Sequence, residues 1–479
     1  MGDSPPTPSI HFLDDDSLLN IFYLYRPAIF DGDESDEFCI QGGRDWDREQ
    51  WWYKPAQVCR RWRNLILGSA SYLRLCLVCK YDTPVMDMLA HSPALPLIID
   101  YFGDITAEDE EGIILALGLR DRVRRIRLEM PFPKLQRLIM AIDGEYPVLE
   151  YLIMDPSMMD ESTALILPEA LQTPHLRHLT LRGFALPSVG YRLLTTAMGL
   201  VTLSLSVDHP SAYLQPNSLL QWISFMPQLE TLEISFSFPV PSRDVERQLM
   251  HTPIITNVTL PNPRLFLFQG ISAYMEAVVR RITAPRLKNL VIQFFKQLTF
   301  SVPCLLQFMN TSENLRFDSV RVGFCREETY VDFYLREEAK TRPLCISVSC
   351  RHLDWQVSSM AQIFNSFSQI FSTVEHLALN TLNHEVHSLS AEEHNEAHRT
   401  EWRKLLGSLS NAKTLQIDDR LVKELSRSLR PDDGEHPLEL LPELQVLTYS
   451  GGGDTGDAFT SFVDARQNAG RPVALMRSG

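Results

Sequence analysis

The stretch Leu229-Glu-Thr-Leu-Glu-Ile234, LETLEI, repeats a phrase that runs through the chain: an apolar residue, two variable ones, Leu, one variable, then Leu, Ile or Val. It returns as VRRIRL from Val123, LEYLIM from Leu149, LRHLTL from Leu176, LVTLSL from Leu200, ITNVTL from Ile255 and LKNLVI from Leu287. Looser copies are FDSVRV from Phe317, VEHLAL from Val374, AKTLQI from Ala412 and LQVLTY from Leu444. Successive starts among the seven closest copies lie 26, 27, 24, 29, 26 and 32 residues apart. A proline stands two residues ahead of several copies, as Pro147, Pro174, Pro227, Pro285 and Pro442.

That step is close to the leucine-rich-repeat range of about 20 to 29 residues. Each phrase reads as one short strand with inward Leu and Ile, followed by a helical return such as SLLQWISFM after Asn217. One such unit cannot cover its own apolar face, so neighbours must stack. The predicted fold is therefore α/β, an irregular leucine-rich-repeat solenoid: a horseshoe of short parallel strands with helical returns. An ordinary doubly wound sheet is the alternative, but its strands are usually continuous Val/Ile runs. From Glu327 to about Val357 the phrase blurs, with CISVSC as a degenerate strand. Strand side chains alternate faces, so the variable positions define a candidate concave binding face: Tyr151, Ile153, His178, Thr180, Thr231, Glu233, Asn257, Thr259, Asn289 and Val291. These are mixed and mostly neutral, and they name no substrate.

The chain has 479 residues, 44% apolar and 22% charged, the composition of a folded, soluble protein. A formal charge of -15 argues against nucleic acid, whose binding relies on Lys and Arg displacing counterions. No apolar run is long enough to span a membrane, and MGDSPPTPSI has no signal-peptide pattern. The expected location is cytoplasmic or nuclear. Eight scattered cysteines do not make a disulfide framework, and Cys76 and Cys79, within LCLVC, read as buried structural thiols.

Ahead of the repeats, Asp14 to Asp16 are placed to cap a helix on which Leu18, Ile21, Phe22 and Tyr25 share a face, with Leu19 and Tyr23 extending the apolar surface. A second helix is predicted from Pro55, with Val58, Trp62, Leu65 and Ile66 as an apolar stripe and Arg60, Arg61 and Arg63 as a solvated rim. About forty ordered residues are too few for a core of their own, so the surplus apolar surface calls for a partner.

The segments LDDDSLLNIF from Leu13 and VCRRWRNL from Val58 resemble an F-box. With the Leu-rich remainder, the whole chain resembles the F-box and leucine-rich-repeat proteins abundant in mushroom-forming fungi. The resemblance implies a substrate-recognition subunit of an SCF-type (Skp, cullin, F-box) ubiquitin ligase, non-catalytic and without cofactor, in which the repeats hold an unidentified target protein. It assigns Leu13, Leu18, Leu19, Ile21, Phe22, Val58 and Trp62 to the surface that docks a Skp-type adaptor, and through it a cullin. Asp14 replaces the usual Pro, and the connector between the motifs is longer than the family's. A stand-alone repeat scaffold, with the F-box-like segment reduced to a cap, is the second reading.

The expected organisation is a disordered N-terminus over 1–11, an F-box-like helical domain over 12–73 with an acidic insertion at about 31–50, and a solenoid over 74–479. Within the solenoid lie a polar insertion at about 383–402 and a cap at about 457–479, with a Gly stop at Gly470. His384, His387, His394 and His398 lack the zincin pattern and read as part of the polar insertion, with no metal. The run RDRVRRIRL from Arg120 reads as an exposed strand face. There is no P-loop, GxSxG elbow or Rossmann glycine series.

Overall fold

The computed structural model describes residues 13–27, 49–81, 83–157, 164–186, 192–209, 212–237, 256–295, 301–312, 314–315, 317–335, 342–381, 396–430, 438–450 and 458–478. The N-terminus, most of the acidic insertion, and His384, His387 and His394 lie outside them. The chain forms two compact units, Met1–Gly183 with Gly190–Gly199, and Phe184–Val189 with Leu200–Gly479.

The first unit opens with helices α1 (Asp15–Tyr25), α2 (Tyr53–Val58), α3 (Arg60–Gly68) and α4 (Ala70–Leu73). Strands β1 (Leu77–Cys79), β2 (Leu97–Phe102), β3 (Val123–Met130), β4 (Tyr151–Pro156) and β5 (His178–Arg182) follow, with helices α5 (Val85–His91), α6 (Ala107–Leu117) and α7 (Phe132–Ile139) between them and α8 (Arg192–Thr196) after them. The strands stand in chain order, each parallel to the next. Register puts Cys79, Ile99, Ile126, Leu152 and Leu179 in one row, and Tyr101, Leu128, Met154 and Leu181 in another on the same face. All are buried, as are Ile113, Leu117, Leu135 and Leu138 of the returning helices. Each Leu withdrawn in this way contributes roughly 1.5–3 kcal/mol, which is why the phrase keeps its Leu positions while the others drift.

The second unit holds β6 (Thr202–Val207), α9 (Pro216–Ile223), β7 (Thr231–Phe236), β8 (Val258–Thr259), β9 (Leu265–Gly270), α10 (Ser272–Val279), β10 (Ile282–Thr283), β11 (Asn289–Phe294), α11 (Pro303–Asn310), β12 (Ser319–Phe324), β13 (Glu328–Tyr334) and β14 (Leu344–Ser349). It continues with α12 (Leu353–Ser366), α13 (Ser368–Phe371), β15 (His376–Thr381), α14 (Glu396–Gly407), β16 (Thr414–Ile417), α15 (Val422–Leu429), β17 (Val446–Ser450), α16 (Thr460–Asn468) and β18 (Ala474–Ser478). The strand order is β6-β7-β9-β11-β14-β13-β12-β15-β16-β17-β18. Gly470, at φ +74°, ends α16 as expected and turns the chain into β18. His398 falls within α14.

Two features correct the uniform repeat. The ITNVTL phrase supplies no strand to the large sheet: Val258 and Thr259 pair only with Ile282 and Thr283 in a separate two-stranded ladder. The place between β7 and β11 is taken by LFLFQG from Leu265, which carries the Pro signal two residues earlier, as Pro263. Second, the parallel order is interrupted where β13 lies antiparallel to both β12 and β14. The hairpin turns at Cys325, whose N–H donates to Glu328 O at 2.9 Å. Gly323 faces Tyr330 across it, and a Cβ there would fall within the Tyr330 ring, so only glycine lets the ring lie on the backbone.

The hairpin is tied to α12 by one amide. Gln356 Nε2 donates to Cys325 O at 2.7 Å, Cys350 O at 2.8 Å and Glu328 O at 3.2 Å. Gln356 is buried, so replacing it with Leu strands carbonyls that water cannot reach. Gln356→Leu is expected to lower unfolding free energy by roughly 2–4 kcal/mol in a urea titration, with the denaturant slope unchanged.

Candidate functional site

Opposite the leucine face lies a second set of rows. In the first unit, Val78, Ile98, Arg125, Tyr151 and His178 form one, and Asp100, Arg127, Ile153 and Thr180 the next. The four candidate face residues of this unit, Tyr151, Ile153, His178 and Thr180, therefore sit together. Tyr151 and His178 stack with ring centroids 4.2 Å apart and planes 6° apart.

In the second unit Thr202, Thr231, Leu265 and Asn289 share a row, and Ser204, Glu233, Leu267, Val291, Cys345, Asp332, Arg321 and Ala378 the next. Thr231, Glu233, Asn289 and Val291 are thus brought to one face, all half-buried. Asn257 and Thr259 do not join it, since their strand left the large sheet; Asn257 instead accepts a 3.0 Å hydrogen bond from Arg281. The rows carry hydrogen bonds from strand to strand: Ser204 Oγ to Glu233 Oε2 and Ser235 Oγ to Gln269 Oε1, both 2.8 Å, and Gln293 Nε2 to Glu328 Oε2 at 3.3 Å. Such pairs hold donors and acceptors in set positions on a surface of hydroxyls and amides.

The basic run does not present an exposed face. Arg125 is 5% exposed and Arg127 is likewise buried, because carboxylates enclose them: Glu49 Oε1 lies 2.9 Å from Arg125, and Asp100 Oδ1 2.5 Å from Arg127. Arg124, on the other parity, pairs with Glu150 at 2.9 Å. Charges this deep persist only when paired and hydrogen-bonded, and alternate Arg residues in a strand gave no sign of where their partners stood.

The two N-terminal motifs meet. Asp14 caps α1, its Oδ1 accepting from Ser17 N–H at 2.7 Å, and that backbone bond, with the Ser17 hydroxyl, holds its carboxyl below the usual range. Arg61 stays exposed on the expected rim and donates to Asp15 Oδ1 and Leu13 O, both at 2.7 Å, tying α3 to the start of α1. Phe22 meets Trp62 edge-on at 5.0 Å, an arrangement worth about 0.5–1.5 kcal/mol beyond area. The helix expected from Pro55 is two helices. Cys59, at φ -158° and ψ 166°, breaks it and caps α3, its Sγ accepting from Trp62 N–H. Val58 consequently ends α2, 62% exposed, and leaves the stripe of Trp62, Leu65 and Ile66.

Of the seven adaptor-face candidates, Leu18 and Phe22 are buried within the chain. Leu13, Leu19 and Trp62 are half-buried. Ile21 and Val58 are exposed, together with Tyr23, Leu24 at 82%, and Tyr25. Ile21, Leu24 and Tyr25 follow the three and four spacing, so one side of α1 is apolar and open. Sequence reasoning missed Leu24, which stands in plain view in LLNIFYLY.

Cys76 and Cys79 are buried, and burial pushes the Cys79 thiol up to about 12, so neither is a thiolate at neutral pH. Among the described residues no group of His, Cys, Asp or Glu is arranged to hold a metal ion. No helix among them is long and apolar enough to cross a membrane. No protein-family model matches the chain, and no curated protein matches it either.

The second unit also buries a carboxylate. Asp332 lies 3.2 Å from Arg342 Nη1, and burial raises its pKa above the ordinary 3.8 despite that charge. It takes up a proton more readily folded than unfolded, so stability from this group grows as pH falls through the raised value toward 3.8. Asp332→Asn is expected to remove that rise, read by comparing the change in urea-unfolding stability of wild type and variant between about pH 7 and about pH 4. Equal pH dependence in both proteins would refute it.

Proposed function

We propose that the chain is a non-catalytic receptor subunit: the α1–α3 helices dock a Skp-type adaptor of an SCF ubiquitin ligase, each unit is a leucine-rich-repeat-like stack of strands, and the polar sheet face holds a target protein. The observation that carries this reading is the open side of α1. Ile21, Leu24 and Tyr25 remain exposed beside Leu18 and Phe22, which are buried, Phe22 against Trp62 of the chain's own third helix. An apolar stripe of this kind on a packed helix is the usual mark of a protein interface. The F-box resemblance of LDDDSLLNIF and VCRRWRNL supplies the kind of partner. In such a receptor the ligase partner does the chemistry, and this chain raises the target's effective concentration near it.

The second reading, a repeat scaffold capped by the same helices, is favoured by Trp52, which is buried and donates from Nε1 to Cys76 O at 3.0 Å, closing the helices over the first strand.

Co-expression with a Skp-type adaptor separates the two. Leu18 is buried, so a charge there would unfold the helix; Ile21→Asp with Leu24→Asp changes only exposed positions. The intact chain is expected to co-purify with the adaptor. The double variant should lose at least about tenfold in affinity, as a central apolar contact does, with an unchanged melting temperature. Failure of the intact chain to bind leaves the scaffold.

A further inference from the structure

At the C-terminal ends of β2 to β5, the polar face matches most of its charges strand to strand. Arg127 pairs with Asp100, and Arg182 with Asp155. Just past β2, Asp104 takes Lys134, which also donates to the Ile105 carbonyl. Glu129 is different. It stands on the same face, two residues beyond Arg127 in β3, and its carboxylate makes no hydrogen bond or ion pair among the described residues. It is nevertheless half-buried, so the charge is drawn partly out of water with no counter-ion to offset the loss. Burial holds its carboxyl above the usual 4.5, with Asp155 and Asp100 adding to the rise and Arg127 opposing it.

Register sets this carboxylate between Phe102 on β2 and Asp155 on β4. The Phe102 ring is 59% exposed, although the Arg127 guanidinium lies 5.6 Å from its centroid. Neighbouring strands stand about 4.8 Å apart, so an open aromatic ring and an unmatched carboxylate lie within reach of one side chain. The carboxylates here are not arranged to hold a metal ion. What matches them is a single organic cation: a ring face attracts it, and a carboxylate accepts its charge-assisted hydrogen bonds. Arginine and lysine carry both parts, an apolar stem and a cationic head.

We propose that Phe102 and Glu129 form a subsite of the polar face that takes an arginine or lysine side chain from a basic protein segment, its stem on the ring and its head on the carboxylate. This rests on reading the polar face as the recognition surface, and it adds the chemistry of the target. Charge complementarity selects the occupant. Asp100 and Asp155 neutralise the two arginines beside the subsite, and Glu129 is the charge left for a partner to match.

The test uses the full chain without adaptor, so failure here leaves adaptor docking untouched, and failure of adaptor docking leaves this result standing. Fluorescein-labelled hexaarginine and hexaglutamate are titrated by anisotropy into wild type, Glu129→Gln, Phe102→Ala and Asp121→Asn, each with a thermal melt. Salt of about 0.15 M screens the general attraction of a negatively charged chain beyond about 8 Å. Asp121 is exposed in the turn ahead of β3, at the other end of that strand from Glu129, so its variant removes the same charge from a different place. Glu129→Gln should bind hexaarginine at least about tenfold more weakly than wild type, Phe102→Ala about two- to fivefold more weakly, and Asp121→Asn as wild type does. No binding by wild type, a preference for hexaglutamate, or equal weakening by Glu129→Gln and Asp121→Asn overturns the proposal. Should Glu129→Gln not fold, Phe102→Ala decides, since that ring is exposed: wild-type affinity for hexaarginine in this variant overturns it.

Discussion

The structure depends on parallel pairing in register. A parallel strand must be followed by a crossover before its neighbour can form, so each strand arrives with a covering element, and the covering element needs an apolar strand face to sit on. Rows such as Cys79, Ile99, Ile126, Leu152 and Leu179 satisfy both demands at once. A shift by one residue would turn every leucine to the opposite face. That penalty holds the register while loops between the strands vary freely in length.

The opposite face follows a different economy. It is freed from core packing, and its polar groups are satisfied sideways, strand to strand, as in Ser204 with Glu233 and Ser235 with Gln269. The ion pairs Arg127–Asp100 and Arg182–Asp155 of the first unit obey the same rule, and Arg125 does not. There the ladder offers Ile98 and Tyr151, and the N-terminal connector supplies what the repeat lacks. The helices at the front are thus joined to the sheet by a charge and by Trp52, as well as by apolar packing.

The hairpin from Ser319 to Tyr334 shows how far such a sheet tolerates irregularity. Antiparallel β13 keeps Val331 and Phe333 on the buried side and Asp332 among the polar rows, so alternation survives the change of direction. Gly323 and Gln356 make the local adjustments, one by omitting a Cβ and the other by donating to loop carbonyls.

What the sequence alone determined is what alternation and spacing encode: an α/β chain of short strands with leucines inward, their helical returns, the Asp14 cap, the Gly470 stop and a shared face for Tyr151, Ile153, His178 and Thr180. These are local properties, set by side-chain periodicity within a few residues. Only the tertiary structure decided which phrase joined the sheet, so that LFLFQG displaced ITNVTL and removed Asn257 and Thr259 from the face. It also decided that Cys59 divides the second motif, that Arg125 and Arg127 are buried, and that Glu49 is the partner of Arg125. The burial of Arg125 and Arg127 depends on residues 76 and 27 positions apart meeting in the fold, and an isolated Arg carries no local mark of the neighbour that will pair with it.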